Sequence, residues 1–268
     1  LQVIELSWWQ LSLAVVLLLL LALITHLNRL GLARSLVIGG LRTILQLSLI
    51  GLVLETLFAA NSLLWVSLLG LAMLLLAGRE VMARQKRRLT GFWAYGVGTL
   101  SMFVSSFSVT LLALIVIIGP DPWYTPQYAI PLLGMLLGNT MTGVAISLDR
   151  LTELAWQQRQ AIECRLLLGQ TGQEALGPIR REALRAGMIP SINAMAAAGI
   201  ISLPGMMTGQ ILAGTAPALA VKYQILIMLL LVLGTGLGSF LAVVGGSRRL
   251  LDQRERLRLD RLRQPENS

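Results

Sequence analysis

The sequence predicts an all-α fold, a polytopic transmembrane helical bundle of about seven spans, because its apolar runs approach the ~20 residues needed to cross hydrocarbon. Three observations carry this. The 268 residues are 55% hydrophobic and 13% charged, with a mean hydropathy of +0.73, where a soluble domain carries roughly 25% charged residues. The apolar residues are gathered into long runs instead of the amphipathic spacing of soluble helices. The basic residues fall almost wholly in alternate connections between those runs, as the positive-inside rule requires.

The first span is expected at 8–27, with Trp8 and Trp9 as interfacial anchors. Glu5 stands where a signal peptide carries basic residues, and no small-residue cleavage site follows. A retained helix is therefore expected, not a cleavable signal. Further spans are expected at 36–58, 62–78, 93–118, 128–148, 187–213 and 219–244. The third is short, and the sixth is interrupted at Ser202-Leu203-Pro204-Gly205. Proline lacks the N–H and clashes with the preceding turn, so Pro204 and Gly205 must break the helix. The connection from Gly119 to Pro126 reads as a rigid turn with Trp123 and Tyr124 at the interface. A polar stretch, 149–186, precedes span six, and a charged tail, 247–268, follows the last span.

Orientation follows from the basic residues. Arg29, Arg34 and Arg42 belong to the first connection, Arg79, Arg84, Lys86, Arg87 and Arg88 to the third, and six arginines to 149–186. With the tail included, only Lys222 of the 22 basic residues lies on the other side. This predicts the N-terminus outside and the C-terminus in the cytoplasm. It also accounts for the net charge of +9 without a nucleic-acid partner. A single cysteine, Cys164, excludes an intrachain disulfide framework, and a single histidine, His26, argues against a multi-histidine metal centre.

The 149–186 stretch carries the clearest mechanical signal. Leu148, Leu151, Leu154 and Ala155 give a partial apolar face, and Gly169 to Gly172 reads as a tight turn between two short helices. The second of these, about 173–186, leads into span six. Such a helix–turn–helix is either a lever offered to a soluble partner or an amphipathic connection lying on the membrane surface. ABC importer permeases carry Glu-Ala-Ala-x3-Gly-x9-Ile-x-Leu-Pro in this place. Glu163, Gly169 and Ile179 fall at those offsets, while Cys164-Arg165 replaces the alanine pair and Arg181-Glu182 replaces Leu-Pro.

A more specific resemblance covers about 130–245. Ile130-Pro131-Leu132-Leu133-Gly134-Met135-Leu136-Leu137-Gly138-Asn139-Thr140-Met141, the segment from Ile179 to Pro190, and the run from Gly199 through Ser202-Leu203-Pro204-Gly205-Met206-Met207 to Gly214 resemble the FetB family of bacterial iron-export ABC permeases, whose plant relatives include aluminium-tolerance proteins. Ala220 to Ile225, and Arg42 with Gln46, fit the same pattern. The resemblance implies a multi-pass permease domain, 1–268, in the plasma (inner) membrane. It implies export of iron or another metal ion; because a single small bundle offers little room for a pathway, a homodimer with a pore at the two-fold interface is expected. It also implies a separate cytoplasmic FetA-like ATPase that binds ATP and Mg, and this chain has no Walker motif of its own. Glu163, Gly169, Gly172 and Ile179 are then the ATPase-coupling residues.

Met206, Met207 and Gln210 follow the break, and are expected either on a translocation path beside freed carbonyls or as adaptable core filler. A methionine pair is not by itself an iron site, since thioethers prefer soft metals such as Cu(I). Gln46, Asn139, Asn193, Thr140, Thr142 and Ser191 are polar groups within spans, for interhelical hydrogen bonds or substrate contact. Gly134 and Gly138 form a Gly-xxx-Gly pair that permits close helix approach. Arg42 is expected to snorkel, and Glu55 is the one acidic candidate near a membrane cation path.

Other classes fit less well. An organic-solute permease, for a nucleotide sugar for instance, needs Arg or Lys in its cavity, and only Arg42 qualifies. An ion-coupled secondary transporter needs membrane-embedded Asp or Glu pairs. A membrane enzyme needs a catalytic cluster that one histidine, one cysteine and few buried acids do not supply.

Overall fold

The computed structural model describes residues 7–60 and 62–263; Glu5 and the last residues of the tail, 264–268, lie outside them. Among the described residues the regular structure is helical, apart from isolated β-bridges. The helices are α1 (Trp8–Leu27), α2 (Ala33–Ala60), α3 (Leu63–Arg84), α4 (Trp93–Ile118), α5 (Pro126–Gln157), α6 (Arg159–Leu167), α7 (Gly172–Ala175), α8 (Gly177–Ala197), α9 (Gly205–Leu212) and α10 (Pro217–Leu250). Six of them, α1 to α5 and α10, are long and apolar enough to cross a membrane.

The chain divides into two compact units. One holds α1, α2 and residues 212–215. Its hairpin turns through Arg29 and Gly31, both at positive φ, and Gly40 of α2 admits the side chain of Leu18 from α1. Ala22 and Thr25 are buried, and the Thr25 hydroxyl donates to the Ala22 carbonyl at 2.9 Å.

The other unit holds everything from Ser62 to Ile211 and from Ala216 onward. The 32-residue α5 is its axis and packs against α3, α4, α8 and α10. Val144, Leu148, Leu151 and Ala155 along α5 are fully buried or nearly so, against Val81, Met102, Val243 and Leu250, while Leu136 packs with Val109 and Leu114. Within α4 the backbone loosens into π-helix at Phe103–Phe107 and Ala113–Ile118, a form that recurs at functional sites.

Four expectations are corrected. The third span is not short: α3 runs to Arg84 and so takes in Arg79 and Arg84. Their long stems let them stay helical while the charges reach water. The fifth span continues past 148 to Gln157, because the 3–4 loop packs on its end: Asp149 accepts from the Lys86 N–H at 2.7 Å and Glu153 pairs with Arg87 at 3.3 Å. Span six is broken, as expected, but the break begins earlier than Ser202. It is α8, a non-helical segment 198–204, and α9. Ala197 already closes the helix, its carbonyl accepting from the N–H groups of Ile201 and Ser202, while Gly199 takes φ +82. No separate helix spans 173–186 either: after the single turn of α7, α8 runs from Gly177 without interruption past Pro190.

Candidate functional site

At the basic end of the larger unit α6, the turn at Gly169 (φ +87) and α7 form a projecting hairpin. Its base is buried: Ile162, Ala175, Leu176 and Ile179 are at most 2% exposed. Its tip is bare, with Leu167 88% and Leu168 83% exposed. Thr171 caps α7, accepting from the Glu174 N–H while Glu174 accepts from the Thr171 N–H at 2.9 Å. The Thr171 N–H first, and then the Thr171 hydroxyl, which also donates to the carboxylate at 2.9 Å, hold the Glu174 carboxyl below its usual range. Arg165 braces the hairpin by donating to the Ala175 carbonyl at 3.1 Å.

The tail is folded against this hairpin. The Gly172 N–H donates to Glu255 at 2.9 Å, and Leu251 packs on Gly172. Leu262 bridges to Leu89, with Thr90 N–H to the Arg261 carbonyl and Arg263 N–H to the Arg88 carbonyl, both at 2.8 Å. Asp252 accepts from the N–H groups of Arg254 and Arg256, and Asp260 pairs with Arg258 at 2.8 Å. The Arg258 side chain holds the Asp260 carboxyl down to about 2. The hairpin, the 3–4 loop, the end of α5 and the tail therefore form one polar platform. Glu163 and Gly169 lie on a surface depression shared with Arg254 and Arg256. Gly172 sits at the tail contact, whereas Ile179 is core.

Above the platform, α5, α8 and α10 meet on small residues. Gly143 of α5 and Gly187 of α8 cross backbone to backbone: a Cβ on Gly187 would lie 2.6 Å from the Gly143 carbonyl oxygen. Gly238 of α10 faces Ser105 and Thr140 as closely. The hydroxyls of Ser106, Thr140, Ser147, Thr235 and Ser239 are buried here and make no hydrogen bond. Gly143, Gly187 and Gly238 are not among the expected site residues, although the four-residue spacing of Gly234, Gly238, Ala242 and Gly246 marks one face of α10.

The polar candidates separate. Thr140 and Ser191 are buried, while Asn139 and Asn193 stand exposed on the exterior of the larger unit. Asn139 lies about 6 Å and Asn193 about 9 Å from the Gly143–Gly187 crossing, at 1.5 Å per residue, both toward the uncharged end. Gln46 is exposed on α2 in the smaller unit. Gly134 closes on Met73 of α3, and Gly138 faces open space. After the break at Pro204, Gly205 opens α9, Met207 is 7% exposed, and Met206 packs against the cluster of Val109, Leu114 and Leu136. The amide oxygens of Gln210 and of Gln224, which the sequence did not single out as a site, are buried without partners. No group of three His, Cys, Asp or Glu side chains converges among the described residues.

The long apolar helices and the folded platform at their basic end define a polytopic helical membrane protein. The profile of "Uncharacterised protein family (UPF0014)" matches residues 8–251, and the chain belongs to that family. It is 40% identical over 228 residues to "UPF0014 membrane protein slr1647" of Synechocystis, covering 85% of this chain and 87% of that one. It is 30% identical over 259 residues to the "Probable iron export permease protein FetB" of Escherichia coli, covering 94% and 95%. With "Protein ALUMINUM SENSITIVE 3" of Arabidopsis thaliana it shares 32% over 219 residues, covering 82% and 78%. These relatives agree with the family expected from the sequence. No solved structure matches the chain.

Proposed function

We propose that the chain is the membrane-spanning subunit of an ATP-driven ABC transporter that exports iron or another metal ion from the cytoplasm. The observation that carries the coupling is the hairpin with its buried base and bare Leu167-Leu168 tip. A bare apolar tip of this kind suits a cleft in another protein, and a rigid base would transmit movement of that protein into α5 and α8. The partner is a separate cytoplasmic ATPase of FetA type, which binds ATP and Mg; this chain does no hydrolysis itself. Export of a metal ion rests on the relative named as an iron export permease.

Asn139 and Asn193, exposed in a single copy, favour a homodimer with the pathway between copies, since lipid tails satisfy no amide. The N-terminus is then outside and the platform cytoplasmic in the inner membrane. Co-expression with an ATPase encoded beside this chain should yield a complex purified through a tag on either chain. Cells lacking the pair should accumulate about twofold more iron under iron load; unchanged iron would count against export.

A further inference from the structure

The larger unit carries a groove that the transport reading leaves unused. It runs between α3, α4 and α10, is lined by Leu75, Trp93, Leu100, Val104, Leu241 and Gly245 among others, and has a volume of about 740 Å³. That size is within the range of small-molecule sites. Its walls are apolar in effect as well as in composition. The hydroxyls that line it are turned onto backbone: Tyr95 donates to the Leu75 carbonyl at 2.8 Å, Thr99 to Tyr95 at 2.8 Å and Ser101 to Val97 at 2.7 Å. A polar solute would find nothing to bind along it.

One end is different. Leu241, Gly245 and Arg249 are spaced by four along α10 and so share a face. The Arg249 guanidinium carbon stands 5.1 Å from the centroid of the Trp93 ring, and its Nε is buried without a hydrogen-bond partner. The guanidinium keeps its charge at any pH, and at a membrane interface such a charge attracts an anionic headgroup. The length of the slot is also informative. From Trp93 to Val104 α4 rises about 16 Å at 1.5 Å per residue, about half of the ~30 Å hydrocarbon core. The groove therefore reaches from the basic interface to mid-membrane, the depth of one leaflet.

We infer that this groove is a binding site for an anionic phospholipid, one acyl chain lying between α4 and α10 and the phosphate meeting Arg249 beside Trp93. The pairing of an apolar slot one leaflet deep with an arginine beside a tryptophan at its headgroup end matches a lipid, an acyl chain filling the slot and a phosphate meeting the guanidinium. The inference needs only the membrane setting and is independent of the transported substrate.

Native mass spectrometry of the full chain in detergent tests it, with phosphatidylglycerol, phosphatidylcholine and glycerol 3-phosphate as probes. The wild type should retain phosphatidylglycerol about tenfold more tightly than phosphatidylcholine and should ignore glycerol 3-phosphate. Arg249→Gln leaves intact the Arg249 carbonyl that Arg261 uses, and should bring the two lipids to parity. Leu100→Trp should fill the groove and weaken both; Val104→Trp serves as a second filler should the first fold poorly. Equal retention by the wild type, an undiminished preference in Arg249→Gln, or competition by glycerol 3-phosphate overturns the site. So does disulfide crosslinking of a Leu100→Cys, Cys164→Ser variant to a second copy, which would make the groove a protein interface.

Discussion

The backbone N–H of Gly172 donates to the carboxylate of Glu255 at 2.9 Å, across 83 residues of sequence. Leu251 lies so close to the same glycine that a Cβ there would meet its Cδ1 at 2.5 Å. The first residue of α7 is thus held from both sides by the tail that leaves α10. Glu255→Ala should remove a bond of about 1 kcal/mol and speed amide exchange at 172–175 about fivefold, as hydrogen–deuterium exchange would show. Exchange unchanged within twofold would mean that Leu251 alone holds the joint.

Helix crossing at Gly187 sets a second expectation. Gly187→Ala places a methyl against Ser147 and the Gly143 carbonyl and should cost about 1–3 kcal/mol by overpacking. That should appear as a lowered unfolding midpoint of the detergent-solubilised chain. Gly138→Ala meets nothing within 4 Å in one copy and should leave that midpoint unchanged. If the pathway lies between copies, Gly138→Leu should nonetheless reduce transport.

Acid should loosen the tail. The Arg258 side chain lowers the Asp260 carboxyl from 3.8 to about 2, and the Arg256 N–H, the largest contribution, lowers that of Asp252. A carboxyl whose folded pKa is depressed adds stability above its ordinary pKa and loses it as pH falls through the folded value. Amide protection over 251–263, corrected for intrinsic exchange, should therefore decline between about pH 4 and pH 2. Asp260→Asn should flatten part of that decline by removing, above about pH 4, the protection that the Arg258 pair supplies there.

The two methionines after the break can be told apart by size and by sulfur. Met207→Ala should cost about 2 kcal/mol or more, as for buried large-to-small changes, and Met206→Ala less, because Met206 is only partly buried. Leucine at either position should restore stability. If Met206→Leu, Met207→Leu also transports normally, thioether ligation has no part in transport; lost transport with kept stability would assign the sulfurs to the path.

Docking of the ATPase should depend on the bare tip. Leu167→Glu with Leu168→Glu adds charge where no core atom is disturbed, so the chain should fold and insert while its ATPase no longer co-purifies. Retained association would move the docking surface to the depression at Arg254 and Arg256.

The membrane spans were legible because they are long apolar runs, and α1 and α4 lie where those runs do. Ends were harder to read. Arg79 and Arg84 look like loop residues by charge, yet they are helical because a long side chain carries its charge away from its backbone position. The break in span six was readable in Pro204, but not that the helix stops at Ala197, which depends on Gly199 turning left-handed. The hairpin was readable from Gly169 and Gly172. Its tie to Glu255 was not, since no local pattern pairs residues so far apart. Asn139 and Asn193 were readable as polar within spans, while their exposure is a property of packing alone.

The crossing of Gly143 and Gly187 makes α5 a rocker. Below the kink-prone Pro131, about 18 Å of helix lies on one side of Gly143 and about 21 Å on the other, to Gln157, at 1.5 Å per residue. With a pivot so near the middle, a 10° tilt would carry each end about 3–4 Å in opposite directions. Closure at the platform and opening at the far face would then be a single displacement of one rigid rod, with no amplification and no delay between the two sides.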